Sequence, residues 1–216
     1  MSKRFAVVAV AILAIVGFGV SAFYYNRSAE VREAQVPAPA SVSDILIRAH
    51  APVLGAENGR VTIVEFFDPS CEACRAMYPV VKQIMAEHPN DVRLVLRYAP
   101  LHQGSEEAIK ILEGAREQGI FVPVLEAVLA SQPEWHDDAR AERAWAAASS
   151  VGLNVERARQ TTASPEFTKN LNQDVADLSA IGVKGTPTFY VNGKVLSNIG
   201  AEQLSALVKS EVAATR

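Results

Sequence analysis

The chain is organised around the segment from Val61 to Val81, in which an apolar run leads directly into two closely spaced cysteines. Residues 61–67 are β-branched or aromatic apart from one glutamate, and so short a run predicts a buried strand rather than a helix. Asp68-Pro69 ends that strand, Ser70 can cap a helix, and apolar residues then recur at helical spacing. The segment therefore predicts a strand, a tight turn and a helix.

The two cysteines, Cys71 and Cys74, are the only two in the chain and fall in the first turn of the predicted helix. Unpaired N–H groups at a helix start stabilise negative charge, so they favour the thiolate of Cys71 and make it the nucleophile. Cys74 lies three residues on, on the same helix face, where it can resolve a mixed disulfide formed by Cys71. The spacing predicts a pair that cycles between dithiol and disulfide.

Two other uses of the cysteines have less support. A structural disulfide of this spacing closes too short a loop to remove much entropy from the unfolded chain. Zinc needs about four ligands, and the sequence has no second Cys-x-x-Cys motif and no paired-histidine motif. Its four histidines are scattered at His50, His88, His102 and His136. We therefore expect no metal site and no bound cofactor.

Composition argues against one class of partner. The 216 residues contain 21 Lys and Arg against 24 Asp and Glu, which gives a net charge of -3. No basic patch stands out along the chain. We therefore expect no binding to nucleic acid.

The N-terminus predicts export. No charged residue occurs from Phe5 to Tyr25, a stretch long enough to span a bilayer, and Lys3 and Arg4 precede it. We expect residues 1–25 to anchor the chain in the inner membrane with the remainder facing the periplasm. The alternative is a signal peptide cleaved near Ala22. In both cases the cysteine pair lies in a compartment where disulfides form.

The rest of the chain divides into a tether and one domain. Residues 26–42 mix charge, Ala and Pro without apolar periodicity, which predicts a flexible tether. Residues 43–216 are enough for one domain with a substantial core. Within that domain, residues 104–180 predict a helical block between two regions that contain strands.

The strand pattern predicts how the two regions fold. Residues 91–98 predict a second strand, parallel to the first because a helix joins the two. After the helical block, residues 188–191 predict a strand, Asn192-Gly193 predicts a hairpin, and residues 201–214 predict a final helix. The order is βαβ, a helical insert, then ββα. The insert helices are predicted over residues 105–118, 120–131, 137–151, 154–161 and 165–180.

The segment Phe-Phe-Asp-Pro-Ser-Cys-Glu-Ala-Cys at a helix start, and the late segment Gly-Thr-Pro-Thr-Phe before a hairpin, resemble the thioredoxin superfamily. With the helical block and the predicted exported N-terminus, residues 43–214 are most similar to the DsbA-like thiol-disulfide oxidoreductases. The resemblance implies an α/β thioredoxin fold with a mixed central sheet and an inserted helical subdomain. It also implies exported protein substrates that contain cysteines, and a membrane redox partner that resets the pair. The direction of electron flow stays open.

The resemblance also assigns roles to residues. Cys71 matches the attacking cysteine, Cys74 the resolving one, and Pro187 the cis-proline of the family. The backbone of Thr186, just before that proline, is then expected to pair with an extended substrate strand. Glu65 matches a buried acid that accepts or relays the Cys74 proton. The alternatives for this glutamate are exposure to solvent or an ion pair with an arginine of the next strand, either Arg93 or Arg97.

One departure from the family concerns the residues between the cysteines. Strong oxidants of the family carry a His or a Pro there, whereas this chain has Glu72 and Ala73. A carboxylate opposes a nearby thiolate by like-charge repulsion, although solvent screens an exposed one. We therefore expect these two residues to tune the pair toward a higher Cys71 pKa and a weaker oxidant than the strongest members.

Two other function classes remain open at this point. An exported metallochaperone would hold Cu(I) between Cys71 and Cys74, because thiolates favour that ion. A holdase would bind unfolded chains independently of redox chemistry. The sequence favours disulfide exchange over both.

Overall fold

The computed structural model describes residues 42–215, which form a five-stranded sheet with helices on both faces. The predicted anchor or signal segment, residues 1–25, and nearly all of the predicted tether, residues 26–41, lie outside this part. Within residues 42–215, none of the helices is long and apolar enough to cross a membrane.

The elements follow the predicted order, with one additional strand. The first half contains α1 (Val42–Leu46), β1 (Val53–Gly55), β2 (Val61–Phe67), α2 (Glu72–Glu87) and β3 (Val92–Tyr98). The insert contains α3 (Ser105–Glu117), α4 (Phe121–Ser131), a 3-10 turn (Gln132–Glu134), α5 (Glu142–Ser150), α6 (Val155–Thr162) and α7 (Pro165–Ala180). The second half contains β4 (Thr188–Val191), β5 (Lys194–Val195) and α8 (Ala201–Ala214).

Strand β2 is the centre of the sheet, whose strand order is β1-β3-β2-β4-β5. It pairs in parallel with β3 and antiparallel with β4, and the two outer strands are antiparallel to their neighbours. Every residue of β2 is buried, because strands flank both its edges and helices cover both its faces. The predicted fold, a mixed sheet with an inserted helical subdomain, is confirmed.

Side chains of β2 alternate between two apolar layers, as the period of a strand requires. Ile63 and Phe67 belong to the larger layer, which contains α2, α8 and most of the insert. Val64 and Phe66 belong to the smaller layer, which includes residues of α1 and α7. Glu65 has the same parity as Ile63 and Phe67. Its carboxyl group therefore points to the α2 side of the sheet, where the cysteines lie.

Two elements differ from the prediction. Strand β1 was not predicted because its three residues are too few to show an alternating pattern; it pairs antiparallel with β3. The helix predicted over residues 137–151 begins only at Glu142. The Asp138 carboxylate accepts the N–H groups of Arg140 and Glu142, both at 3.0 Å. These bonds stabilise a turn in place of the first helical turn.

A buried arginine joins the insert to the sheet. Arg97 on β3 has a side chain that is 0% exposed, and its Nε donates to Asp174 Oδ1 on α7 at 2.9 Å. Its Nη2 donates to Asp177 Oδ2 at 2.6 Å. Although burial acts to raise the pKa of Asp177, hydrogen bonds from Arg48 and Arg97 lower that pKa to about 2. The two aspartates of α7 therefore share Arg97 as a buried cation, and Asp177 pairs with Arg48 as well.

We expect Arg97→Met to lower the free energy of unfolding by about 3–5 kcal/mol, because it leaves two buried carboxylates without their shared cation. Urea unfolding at neutral pH measures the change. The matched control is Arg60→Met, which breaks an exposed pair with Asp91 and is expected to cost less than about 1 kcal/mol. Equal, small losses for the two variants would contradict the prediction.

Candidate active site

Cys71 is the N-cap of α2, with an extended backbone at φ -77° and ψ 122°. This conformation places its Sγ near the first free N–H groups of the helix, and those of Ala73 and Cys74 help to lower the pKa of Cys71. Ser70, which we predicted as the helix cap, hydrogen-bonds elsewhere. Its hydroxyl donates to the carbonyl oxygen of Gln103 at 2.9 Å.

The two thiols are free, and they differ sharply in environment. Cys71 is 7% exposed, whereas Cys74, one turn along α2, is 0% exposed. The Cys74 thiol donates to Cys71, and this hydrogen bond contributes most to lowering the pKa of Cys71 to about 5, against the opposing effect of burial. Burial, the hydrogen bond to Cys71 and the charge of Glu65 raise the pKa of Cys74 well above its ordinary value. The pair therefore consists of an accessible thiolate and an enclosed thiol.

The loop that contains Thr186 and Pro187 lies against Cys71. The peptide bond between the two loop residues is cis, and the Thr186 carbonyl oxygen accepts a hydrogen bond from the Cys71 thiol at 3.2 Å. The buried Thr186 Oγ1 has no hydrogen-bond partner among residues 42–215. It is therefore free to donate to the sulfur once the thiol loses its proton, and this contribution helps to lower the pKa of Cys71.

Glu65 lies behind the cysteines in the middle of β2. Its side chain is buried, its carboxyl group hydrogen-bonds to Cys74, and its Oε1 has no partner in the described part of the chain. Burial is the main cause that raises the pKa of Glu65 to about 8, and the negative charge of Cys71 adds to it. At neutral pH this group is therefore mostly a neutral acid.

Both alternatives considered for Glu65 are wrong. Burial removes it from solvent. The two arginines of β3 bind elsewhere, since Arg97 contacts the aspartates of α7 and Arg93 Nε donates to Thr62 Oγ1 at 2.8 Å. The structure therefore brings Glu65 together with the cysteine pair rather than with a cation.

Glu72 and Ala73 are both exposed at the start of α2. The Glu72 side chain is 71% exposed, and its Oε1 lies 4.0 Å from His136 Nε2. Solvent therefore screens its charge, and the pKa of Cys71 falls to about 5 in spite of it. The repulsion expected from Glu72 is smaller than the combined effect of the donors around the sulfur.

Three polar residues of the site were missed in the sequence: Asp68, His102 and Gln132. The buried Gln132 lies in the 3-10 turn of the insert, and its Nε2 donates to the carbonyl oxygens of Pro69 and Cys71 at 2.7 and 3.0 Å. Asp68 binds the loop after β3, including His102. Topology offered a signal for the first two, because the carboxyl ends of the parallel neighbours β2 and β3 meet at one edge of the sheet. Gln132 had no such signal.

In residues 42–215, no group of three or more His, Cys, Asp or Glu side chains is placed to hold a metal ion. The site brings together two sulfur atoms, the hydrogen-bond donors around Cys71 and the carboxyl group of Glu65.

Comparisons with known proteins agree with this geometry. A family model described as thioredoxin matches residues 48–210. A thioredoxin-like oxidoreductase from Silicibacter pomeroyi DSS-3 aligns with a TM-score of 0.70 and 31% identity, over 82% of this chain and 98% of that one. The thiol-disulfide exchange protein alpha-DsbA2 from Wolbachia pipientis has a similar fold, with a TM-score of 0.61 and 20% identity over 80% of this chain and 91% of that one.

A much longer relative also matches. The Na(+)/H(+) antiporter NhaA 3 of Salinispora tropica is 35% identical over 170 residues, which cover 76% of this chain and 25% of that protein. The chain thus spans about a quarter of the length of the curated relatives that it matches. Because the thioredoxin model covers most of the chain, the chain belongs to the thioredoxin family, and its fold is like that of alpha-DsbA2.

Proposed function

We propose that this protein exchanges disulfides with exported, cysteine-containing proteins on the periplasmic side of the inner membrane, using Cys71 and Cys74 as its redox pair. The observation that carries the proposal is the position of the Cys71 sulfur, slightly exposed at a helix start and surrounded by hydrogen-bond donors. The uncharged stretch from Phe5 to Tyr25 supports an anchor in that membrane. A soluble periplasmic protein, cleaved near Ala22, is the alternative.

In the oxidising direction, a substrate thiolate attacks the Cys71 sulfur of the disulfide form. The bond between the two cysteines breaks, its electron pair leaves on the Cys74 sulfur, and that sulfur takes up a proton. A second substrate thiolate then attacks the substrate sulfur of the mixed disulfide, and Cys71 leaves as a thiolate. The substrate loses two electrons and gains a disulfide, while the protein ends as one thiolate and one thiol.

The same steps run in reverse for reduction. The Cys71 thiolate attacks a substrate disulfide, and Cys74 then attacks the mixed disulfide and releases the reduced substrate. In either direction the pair must be reset after each turnover. We assign that step to a membrane redox partner, either an integral oxidase or an integral reductase.

Glu65 is the proposed proton donor and acceptor for Cys74. Its carboxyl group contacts the Cys74 thiol, and its pKa of about 8 leaves it protonated at neutral pH. It can therefore protonate the Cys74 sulfur as that sulfur leaves, and take the proton back when Cys74 attacks a mixed disulfide. The high pKa of Cys74 makes this help necessary, because an enclosed thiol does not ionise unaided.

Substrate binding is proposed at the loop before β4. Thr186 lies next to the reacting sulfur, and its backbone contacts Cys71. An extended substrate segment that pairs with this backbone would bring its own sulfur to Cys71. Backbone pairing of this kind would tolerate many substrate sequences.

The pKa of Cys71 bears on the redox potential. Its value of about 5 lies between roughly 7 for thioredoxin and roughly 3.5 for DsbA. A stabilised thiolate stabilises the reduced pair and makes the disulfide more oxidising. We therefore propose an oxidant that is weaker than DsbA and stronger than thioredoxin.

The enclosed thiol argues against a dedicated Cu(I) carrier. Cu(I) is held by thiolates, and Cys74 is 0% exposed with a pKa raised well above the ordinary value. A carrier needs both sulfur atoms deprotonated and reachable. This pair offers only one such atom.

The direct test is oxidation of a reduced, unfolded protein with two cysteines by the full-length protein, together with reduction of insulin. We expect a potential against glutathione between about -270 and about -120 mV, no activity for Cys71→Ser, and an accumulated mixed disulfide for Cys74→Ser. A variant that lacks both cysteines and retains full cellular function would contradict the proposal and indicate a holdase.

We expect Cys74→Ala to raise the midpoint at which Cys71 becomes reactive by about one pH unit or more, because it removes the thiol hydrogen bond to the Cys71 sulfur. The rate of alkylation by iodoacetamide, followed against pH, gives the midpoint. Cys74→Ser is the matched control, since it keeps an O–H donor and should shift the midpoint less. Identical midpoints in the wild type and Cys74→Ala would be incompatible with this cause.

We expect Glu65 to make the reduced protein less stable as the pH rises from about 4.5 toward 8, the unfolded and folded pKa values of this group. The folded state holds the Glu65 proton across this range and the unfolded state does not, so deprotonation favours unfolding. Urea unfolding of the wild type and Glu65→Gln at several pH values gives the difference. The variant should gain stability relative to the wild type as the pH rises. Parallel curves of unfolding free energy against pH would show that Glu65 does not have a raised pKa in the folded state.

A further inference from the structure

A buried carboxylate holds the loop between β3 and α3 against the active-site turn. The Asp68 side chain is 0% exposed, and its Oδ2 accepts the N–H groups of Leu101 at 2.8 Å and His102 at 3.2 Å. These bonds satisfy a charge that would otherwise be costly to bury. The loop therefore has a fixed position beside the turn that carries Cys71.

His102 brings an imidazole ring to this loop. Its Nδ1 lies 2.7 Å from Asp68 Oδ2, and its side chain is 48% exposed. The hydrogen bond to Asp68 is the main cause that raises the pKa of His102, and the charges of Asp68, Cys71 and Glu72 add to it against the opposing effect of burial. His102 therefore keeps its charge to a higher pH than an ordinary histidine.

Asp68 also contacts the cysteine turn directly. Its Oδ1 accepts the N–H of Ser70 at 2.9 Å, and its carbonyl oxygen accepts the N–H of Cys71 at 3.0 Å. A single residue therefore fixes both the imidazole ring and the backbone of the reactive cysteine. Asp68 therefore links the loop that contains His102 to the turn that contains Cys71.

We propose that His102 is a positioning residue for the disulfide exchange proposed above: its imidazolium, held by Asp68, stabilises the Cys71 thiolate from outside the Cys-x-x-Cys motif. This proposal rests on the proposed function, because the stabilised thiolate is the group that would exchange disulfides. The coupling is reciprocal, because disulfide formation removes the thiolate charge that helps Asp68 to keep the proton on His102. Formation of the disulfide should therefore release this proton more readily, and the redox balance should depend on pH through His102.

The other charged groups around His102 come from two helices. Glu72, on α2, is exposed and lies 4.0 Å from His136. Helix α3 contributes three side chains that line the same surface depression as His102 and pair with one another: Glu106, Glu107 and Lys110. Disulfide formation leaves these side chains chemically unchanged, whereas it consumes the thiol group of Cys71.

Substitutions at His102 in the full-length dithiol protein test the proposal. His102→Gln removes the charge and keeps a donor for Asp68. We expect it to raise the midpoint of Cys71 alkylation by about one pH unit and to shift the glutathione equilibrium about tenfold toward the disulfide. His102→Lys restores a positive charge and should keep both values close to those of the wild type.

A matched control separates this effect from a general loss of charge near the site. His136→Gln removes a histidine that lies beside Glu72 rather than Asp68, and it should leave both values unchanged. A midpoint for His102→Gln within about 0.2 unit of the wild type overturns the proposal. Equal shifts for His102→Gln and His102→Lys also overturn it, because they would indicate a structural role alone.

A second measurement needs no substitution. NMR titration of the His102 ring in the wild-type protein should give a lower midpoint in the disulfide form than in the dithiol form, because the Cys71 charge is lost. Equal midpoints overturn the proposal. A wild-type protein that exchanges no disulfides would defeat the proposed function, while the alkylation and NMR titrations would still measure the coupling, so the two failures can be told apart.

Discussion

The negative charge on the Cys71 sulfur depends on hydrogen bonds from parts of the chain that are far apart in sequence. Burial alone would raise the pKa of this thiol, so the donors from α2, from Cys74 and from Thr186 must outweigh it. The sheet makes their meeting possible. Phe66 of β2 pairs with Thr188 of β4, so the segment after β2 and the segment before β4 lie side by side at one edge.

The two layers of the core differ in how fully their buried polar groups are hydrogen-bonded. Behind the sheet, Arg97 and the aspartates of α7 satisfy one another. Around the cysteines, polar atoms of Glu65, Gln132 and Thr186 are buried without hydrogen-bond partners in the described part of the chain. Such atoms typically cost about 1–3 kcal/mol each. Two of these atoms have a possible use. The free Glu65 Oε1 can accept a proton, and the free Thr186 hydroxyl can donate to the Cys71 thiolate.

The sequence was sufficient to predict the fold and to name the cysteines, Glu65 and the Thr-Pro segment that the structure brings together. A buried strand, two cysteines at a helix start and a late Thr-Pro before a hairpin are local patterns. Local patterns can be recognised in the sequence without knowledge of how the elements pack. The groups that tune those residues depend on contacts across the fold. His102 appeared as one of four scattered histidines, since its neighbour Asp68 is 34 positions away. The role of Gln132 was harder to predict. Its partners depend on how the insert packs against the turn, and no local sequence pattern determines that packing.

Gln132 also links the helical insert directly to the turn that contains Cys71. Its side chain reaches from the insert to the carbonyl oxygens of Pro69 and Cys71. A chimera that grafts this cysteine motif onto a thioredoxin core without the insert would lose both anchors and leave those carbonyl groups to solvent. In this architecture the motif and the insert support each other, so an exchange of one requires a redesign of the other.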